Sequence, residues 1–224
     1  MKLALTVVFC TFLALPVFSG SVTILGGYVM PEAKSDVYEQ NEFETTFETG
    51  DLQSFGGIVR YDHFLGNFIN LSGSISYYES DTSVVDLEFE FEDGYPIGRD
   101  IRLEIVPVEF NIHLLPAGRE AAVIPFVGGG AGLYVWQYEE IGDFVINRFT
   151  DPEVITGVAY SDGADPGWHV EGGVHIPVAR SVAVTVEAKY WSAKGDLDKA
   201  GFDPDFEPID LSATMISGGV SIWF

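Results

Sequence analysis

The spacing between alternating segments constrains this chain more than any single motif. Eight runs carry apolar residues at every second position, near 22–30, 55–64, 69–78, 105–114, 123–136, 168–176, 182–191 and 215–224. A period of two marks a strand with one apolar face. The connections after the second, fourth and sixth runs are short, at 65–67, 116–120 and 177–181; those after the first, third, fifth and seventh are long. A water-soluble sandwich alternates too, but it has no reason to put every long connection at one end. Tight turns at one end and long loops at the other are the pattern of a closed barrel crossing a membrane, and each run is about as long as a tilted crossing requires.

The last run shows the phase most plainly. Ile216, Gly218, Val220, Ile222 and Phe224 fall on one side, and Met215, Ser217, Gly219, Ser221 and Trp223 on the other. An apolar terminal strand with a free edge invites pairing with other chains. In a barrel the same strand closes against the first, leaving no edge in lipid. Two other runs are as clear. Trp168, Val170, Gly172, Val174 and Ile176 oppose His169, Glu171, Gly173 and His175; Ile69, Leu71, Gly73, Ile75 and Tyr77 oppose Asn70, Ser72, Ser74 and Ser76. The expected fold is all-β: an eight-stranded antiparallel up-and-down transmembrane barrel with short periplasmic turns and long acidic external loops.

The amino-terminus reads as a targeting segment. Lys2 precedes an apolar stretch over 3–18 that Pro16 breaks, and Val17-Phe18-Ser19 supplies a small residue at a cleavage position. A leader over 1–19 and a barrel over 20–224 are expected. Cys10, the chain's one cysteine, falls in the leader, so the exported protein has no disulfides to rely on.

Charge separates the two ends of the molecule. The long regions 31–54, 79–104, 137–167 and 192–211 hold 29 of the 34 acids but only six of the 11 bases, a net of −23. The rest of the chain after the leader is close to neutral. Direct binding to nucleic acid is thereby excluded. Within the second long region, Val85, Leu87, Phe89 and Phe91 alternate with Asp86, Glu88, Glu90 and Glu92, and Asp93-Gly94-Tyr95-Pro96 reads as a turn. A hairpin continuing the third and fourth strands above the membrane is expected. In its returning strand, Leu103 and Ile105 fall out of phase with Val106, Val108, Phe110 and Ile112, which predicts a bulge near Val106-Pro107.

Three stretches carry a family resemblance: Val106-Pro107-Val108-Glu109-Phe110-Asn111, Pro125-Phe126-Val127-Gly128-Gly129-Gly130-Ala131-Gly132, and Gly218-Gly219-Val220-Ser221-Ile222-Trp223-Phe224. Together with the leader, they make the chain resemble the small eight-stranded outer-membrane barrels of the OmpA/OmpX/OmpW type. The resemblance implies an outer membrane of a Gram-negative-type cell. It also implies that Phe224 belongs to the signal read by the barrel-assembly machinery. The family includes adhesion and integrity proteins, narrow pores and lipid A-modifying enzymes, so the resemblance does not select a function.

The polar residues expected to face inward are Arg60, Asp62, Glu109, Asn111, His113, His169, Glu171, His175, Glu187 and Lys189. The interior of an eight-stranded barrel is just wide enough for side chains to fill it, so these charges must pair. Either a salt-bridged core or a polar conduit would result. A hydrolase would need a nucleophile beside a base. The family's deacylase type resembles a His-x-Ser pair on a late strand, and this sequence has none. In the last long region, Asp196, Asp198, Asp203, Asp205 and Glu207 approach the spacing of a calcium loop, but Ala200 stands where an acid or amide belongs. Weak Ca or Mg binding by the acidic crown is the most that spacing suggests, and no resident cofactor is expected. Tyr77, Tyr78, Tyr134, Trp136, Trp168, Tyr190, Trp191, Trp223 and Phe224 mark strand ends and are expected as interfacial girdles.

The leading expectation is a non-enzymatic, monomeric barrel. Its acidic external crown contacts outer-membrane lipids, lipopolysaccharide, ions or another surface. A narrow pore for small or apolar solutes is the alternative, and a lipid A-modifying enzyme comes third.

Overall fold

Eight long strands close into a ring in the computed structural model, which describes residues 19–199 and 201–224. They are β1 (Gly20–Pro31), β2 (Ser54–Leu65), β3 (Ile69–Glu90), β4 (Pro96–Leu114), β5 (Ile124–Ile146), β6 (Glu153–Ala179), β7 (Val182–Gly195) and β9 (Ala213–Trp223). Helix α1 (Asp36–Glu44), a 3-10 turn (Thr49–Leu52) and the two-residue strand β8 (Ile209–Asp210) lie in the long connections. Each strand pairs antiparallel with its sequence neighbour, and β9 pairs with both β7 and β1. The closure holds at the last residue. Gly20 N–H donates to the Phe224 carbonyl and Phe224 N–H donates to the Gly20 carbonyl, both at 3.0 Å. The expected leader, apart from Ser19, lies outside the described residues.

The predicted phase holds across the lower wall. Ile24, Val59, Val108, Phe110, Ile112, Val127, Val170, Val186, Val220 and Ile222 are exposed on the outside. Their strand neighbours Thr23, Arg60, Glu109, Asn111, His113, Glu171, Glu187 and Ser221 are buried inside. An apolar outer band over a polar interior is what a strand wall in hydrocarbon requires.

Four strands run far beyond the membrane. β3, β4, β5 and β6 have 22, 19, 23 and 27 residues, where a crossing takes about 9–11. The expected β3–β4 hairpin is present. The third long region, read from sequence as loop, is also a hairpin, with β5 and β6 paired from Ile124↔His175 to Ile146↔Glu153 without a break in register.

The expected bulge at Val106-Pro107 is absent. β4 keeps one register with β5 from Arg99↔Gly142 to Leu114↔Val127. The register shift lies between Val85 and Glu90 instead. Leu103 and Ile105 point inward, on the same side as Pro107 and Glu109. The strand keeps its phase while the medium on its inner side changes from polar to apolar.

That change defines a plug. Leu25, Val29, Tyr78, Ile101, Leu103, Ile105, Tyr134, Trp136, Trp191 and Met215 fill the upper barrel, and Val37, Tyr38, Phe47, Leu52, Ile209 and Leu211 continue the same cluster into the crown. Tyr78, Tyr134, Trp136 and Trp191, expected as girdle residues, belong to this plug and are at most 3% exposed. Neighbours along a strand face opposite ways, so when Tyr77 and Tyr190 face out, Tyr78 and Trp191 face in. Tyr77, Trp168 and Phe224 keep the exposed positions expected of a girdle. A second cluster, Phe64, Leu115, Ile124 and Phe126 with Ala121 and Trp223, floors the barrel at the periplasmic end.

The glycine-rich run of β5 makes the crowded interior feasible. A Cβ on Gly130 would lie 1.8 Å from the Phe110 carbonyl oxygen. Gly128, Gly130 and Gly132 sit opposite His113, Asn111 and Glu109, so the bare face of β5 leaves room for three large polar side chains. Gly130→Ala should therefore abolish the heat-modifiable folded band on gel electrophoresis. Gly26→Ala, with nothing within 4 Å of the added methyl, should leave that band unchanged.

Candidate functional site

Two polar assemblies stand out, one inside the lower barrel and one in the crown. The lower one is organised around Arg60, which is 1% exposed. Its guanidinium lies 2.5 Å from Glu187 Oε2, 3.4 Å from Asp62 Oδ1 and 3.6 Å from Glu171 Oε1, with the Phe126 ring centroid at 5.4 Å. His113 joins Glu171 through Nε2 and Asn70 through Nδ1 at 3.1 Å. Lys189 pairs with Glu109, which also accepts from Tyr134 Oη at 2.9 Å and Ser74 Oγ at 3.0 Å. His169 Nδ1 lies 3.4 Å from Glu109 Oε1. All ten polar residues expected to face inward are buried together.

A file of hydroxyl groups connects the remaining member. His175 Nδ1 meets Thr185 Oγ1 at 2.8 Å, Thr185 meets Ser221 at 2.7 Å, and Ser221 meets Thr23 at 2.8 Å. Thr23 donates to Asp62 at 3.3 Å, and Ser21 and Asn70 donate to the same carboxylate at 3.0 Å. Sequence reasoning left these hydroxyl and amide partners out of the site. Their signal was present, since Asn70, Ser72 and Ser74 form the polar phase of β3, but small polar residues do not announce what they bond. Four carboxylates face Arg60 and Lys189 in this small volume, so each buried charge depends on its partners, while Arg60 Nη2, Glu187 Oε1 and both His169 ring nitrogens have no hydrogen-bond partner among the described residues.

The crown assembly ties α1 to the extended sheet. Asn41, 2% exposed, donates to Glu140 Oε1 at 2.8 Å and to Tyr138 Oη at 3.2 Å, and accepts from Arg99 Nη2 at 2.6 Å. Arg99 also lies 2.9 Å from Glu140 and packs over the Phe144 ring at 5.1 Å. Burial, with Glu140 alongside, pushes the Tyr138 hydroxyl well above its ordinary range. Arg148 clamps the tip of the β5–β6 hairpin to the β3–β4 hairpin through two bonds to Asp86, at 2.6 and 3.2 Å, and stacks over Phe89 at 5.0 Å. Burial opposes ionisation of Asp86. The Arg148 hydrogen bond and the amides of Glu88 and Phe89 overcome it and hold the carboxyl below the ordinary aspartate value.

The loop acids do not converge on an ion. Asp196, Asp198, Asp203, Asp205 and Glu207 are exposed, and Ala200 lies outside the described residues. The amides of Asp205 and Glu207 donate to the Asp203 and Asp36 carboxylates. Among the described residues, no group of three or more His, Cys, Asp or Glu side chains is placed to hold a metal ion.

Ring closure, an apolar outer band and a filled polar lumen define a small eight-stranded transmembrane barrel of the outer-membrane type. The chain is similar in fold to the crystal structure of Neisserial surface protein A, at 12% identity and a TM-score of 0.50, over 92% of this chain and 97% of that one. It is likewise similar to the outer membrane protein OprG from Pseudomonas aeruginosa, at 10% identity and a TM-score of 0.54, with the same coverage. No family model matches the sequence, and no curated protein matches it.

Removing Arg60 would leave Glu187, Glu171 and Asp62 facing one another. Arg60→Met should lower unfolding stability in lipid vesicles by about 3–5 kcal/mol, and Arg60→Met with Glu187→Met should recover part of that loss. Urea titrations read by tryptophan fluorescence would measure both. For the crown clamp, the folded carboxyl of Asp86 titrates below the unfolded one. Its stabilisation is therefore complete above the ordinary aspartate range and lost as pH falls through the lower folded value. The protection factors of amides in the two hairpin tips, taken relative to the intrinsic exchange rate at each pH, should fall under acid, and Asp86→Asn should show the lower protection already at neutral pH.

Proposed function

We propose that the protein is a closed barrel of the outer membrane that acts through its external crown, by contact, rather than by passage of solutes or by catalysis. The observation that carries this reading is the apolar plug. It begins inside the membrane at Leu25, Ile105 and Trp136 and continues without a break to Val37, Tyr38 and Phe47 around α1. A solute leaving the polar lumen upward would have to displace that whole cluster, and one leaving downward would have to displace Phe64, Leu115, Ile124 and Phe126. The histidines of the lumen sit behind the same barriers, at 1–3% exposure, which favours a structural role for them over chemistry on a substrate.

The crown supports the other half of the reading. Most of the acids counted in the four long regions stand on hairpin strands and α1, held by the crown end of the same apolar cluster. Lipid headgroups, lipopolysaccharide bridged by divalent ions, and proteins carrying positive charge are the classes of surface such a field would engage. Export by a cleaved leader, and assembly through the strand ending in Phe224, complete the proposal.

Planar-bilayer recording tests it directly. The purified barrel should give no discrete conductance steps. Steps should require both barriers to be opened, with Ala at Trp136, Leu103 and Ile105 and also at Phe64, Leu115, Ile124 and Phe126. Steps from the unaltered protein would overturn the reading in favour of a pore.

A further inference from the structure

Four of the six arginines lie against carboxylates: Arg60 with Glu187, Arg99 with Glu140, Arg102 with Glu79 and Arg148 with Asp86. The other two, Arg119 and Arg180, stand at the opposite end from the crown, in the turns after β4 and β6. Among the described residues, neither has a carboxylate within 4.0 Å. In a chain with 34 acids and 11 bases, two neighbouring arginines without an acid call for a reason.

Both line one hollow of about 410 Å³ between the two turns, a volume within the roughly 300–1,000 Å³ of small-ligand sites. Trp223 and Ala183 stand in its wall. They belong to the inward phase of β9 and β7, so the hollow lies across the mouth of the barrel, against the floor that Phe64, Leu115, Ile124 and Phe126 make. A ligand reaches it from the periplasm and not from the bilayer. Ala122, Ala179 and Val182 give the hollow a small apolar lining, and its one acid, Glu120, is exposed.

Arg119 is held in place. Its Nη1 donates to Ser19 Oγ, and its guanidinium lies over the Phe64 ring at 5.2 Å. The Arg119 amide donates to the Asn67 carbonyl at 3.0 Å, and the Trp223 amide donates to the Ser181 carbonyl at 2.9 Å. These bonds tie the turns that carry Arg119 and Arg180 to their neighbours. A guanidinium already ordered loses less freedom when it binds. Trp223 Nε1 is buried and has no hydrogen-bond partner among the described residues. Such a donor is costly until an acceptor reaches it.

Two guanidiniums and an indole N–H are all donors, and a carboxylate accepts from each. The apolar lining suits a small carbon side chain beside that anion more than it suits a bare inorganic ion. The acidic crown repels anions, which leaves the turn end as the place for one to dwell. We propose that the hollow between the turns binds the free C-terminal carboxylate of a short peptide with small apolar side chains. This is a ligand site on the periplasmic side, separate from the contact made by the crown.

The test follows the indole N–H signals of the full barrel, with isotope-labelled tryptophan, in maltoside micelles. Acetylated tri-alanine with a free carboxylate should shift the Trp223 signal saturably. The Trp136 and Trp191 indoles, bonded to Asp165 and to the Leu211 carbonyl, should stay where they are. The same peptide as its carboxamide should bind at least about tenfold more weakly, and so should the acid peptide to Arg180→Gln. Arg102→Gln, beside Glu79 on the outer wall, should change binding less than about twofold. Equal binding of acid and amide would overturn the proposal. So would inorganic phosphate binding as tightly as the peptide, equal losses from the two variants, or the absence of a saturable shift. The comparison of acid with amide uses the unaltered protein, so it decides the matter even if Arg180→Gln fails to fold.

Discussion

In hydrocarbon every backbone N–H and C=O must find its partner within the chain, because no water is available to substitute. The reciprocal bonds between Gly20 and Phe224 complete that requirement, and the rest of the structure depends on it. Once β9 is held between β7 and β1, the diameter is fixed and the phase of each strand decides which side chains share the interior. Arg60 cannot turn outward without exposing a guanidinium to lipid, and Val59 cannot turn inward without displacing it. The interior polar set must then satisfy itself in the space available. The bare glycines of β5 supply that space opposite Glu109, Asn111 and His113.

The interior has two zones, and Tyr134 is where they meet. Its ring belongs to the apolar plug while its hydroxyl donates to Glu109 in the charged network. Below it, carboxylates and cations hold one another; above it, Trp136, Leu103 and Ile105 exclude water altogether. The upper zone continues out of the membrane, and this explains why β3 to β6 remain strands where aqueous loops would be expected. A two-stranded hairpin alone in water is marginal. Four strands curved around Ile101, Tyr138 and Val84, and covered by Tyr38 and Phe47 of the first connection, have a core to fold against.

Strand phase was legible in the sequence wherever one side was lipid and the other was charged, because those two media demand opposite residue types. The buried set from Arg60 to Lys189 and the closing strand were readable for that reason. Legibility failed where both sides favour apolar or aromatic residues. Leu103 and Ile105 looked like a slipped lipid face because an apolar residue does not reveal whether it meets acyl chains or a plug. Tyr78, Tyr134, Trp136 and Trp191 were mistaken for girdle residues on the same ground. The β5–β6 extension was hidden by its acids and glycines, which read as loop unless a partner strand is already assumed. Helix α1 shows no apolar stripe in its nine residues. It is held by tertiary contacts of Val37, Tyr38 and Asn41, which no local pattern encodes.

The crown is acidic by count, with 29 acids against six bases, and some of those bases serve as staples. Arg99 is buried against Glu140, Asn41 and Phe144, and Arg148 is spent on Asp86 and Phe89. Arg102 pairs with Glu79 and Lys34 with Glu32. Arg99 and Arg148 staple one part of the crown to another and neutralise only the carboxylates they touch, so the surplus of acids remains. Self-repulsion of this kind normally loosens a surface element. Here the apolar core and the two arginine staples oppose it, and the acids remain on a stiff sheet. A stiff sheet holds its charges in one arrangement, which a floppy acidic loop would not.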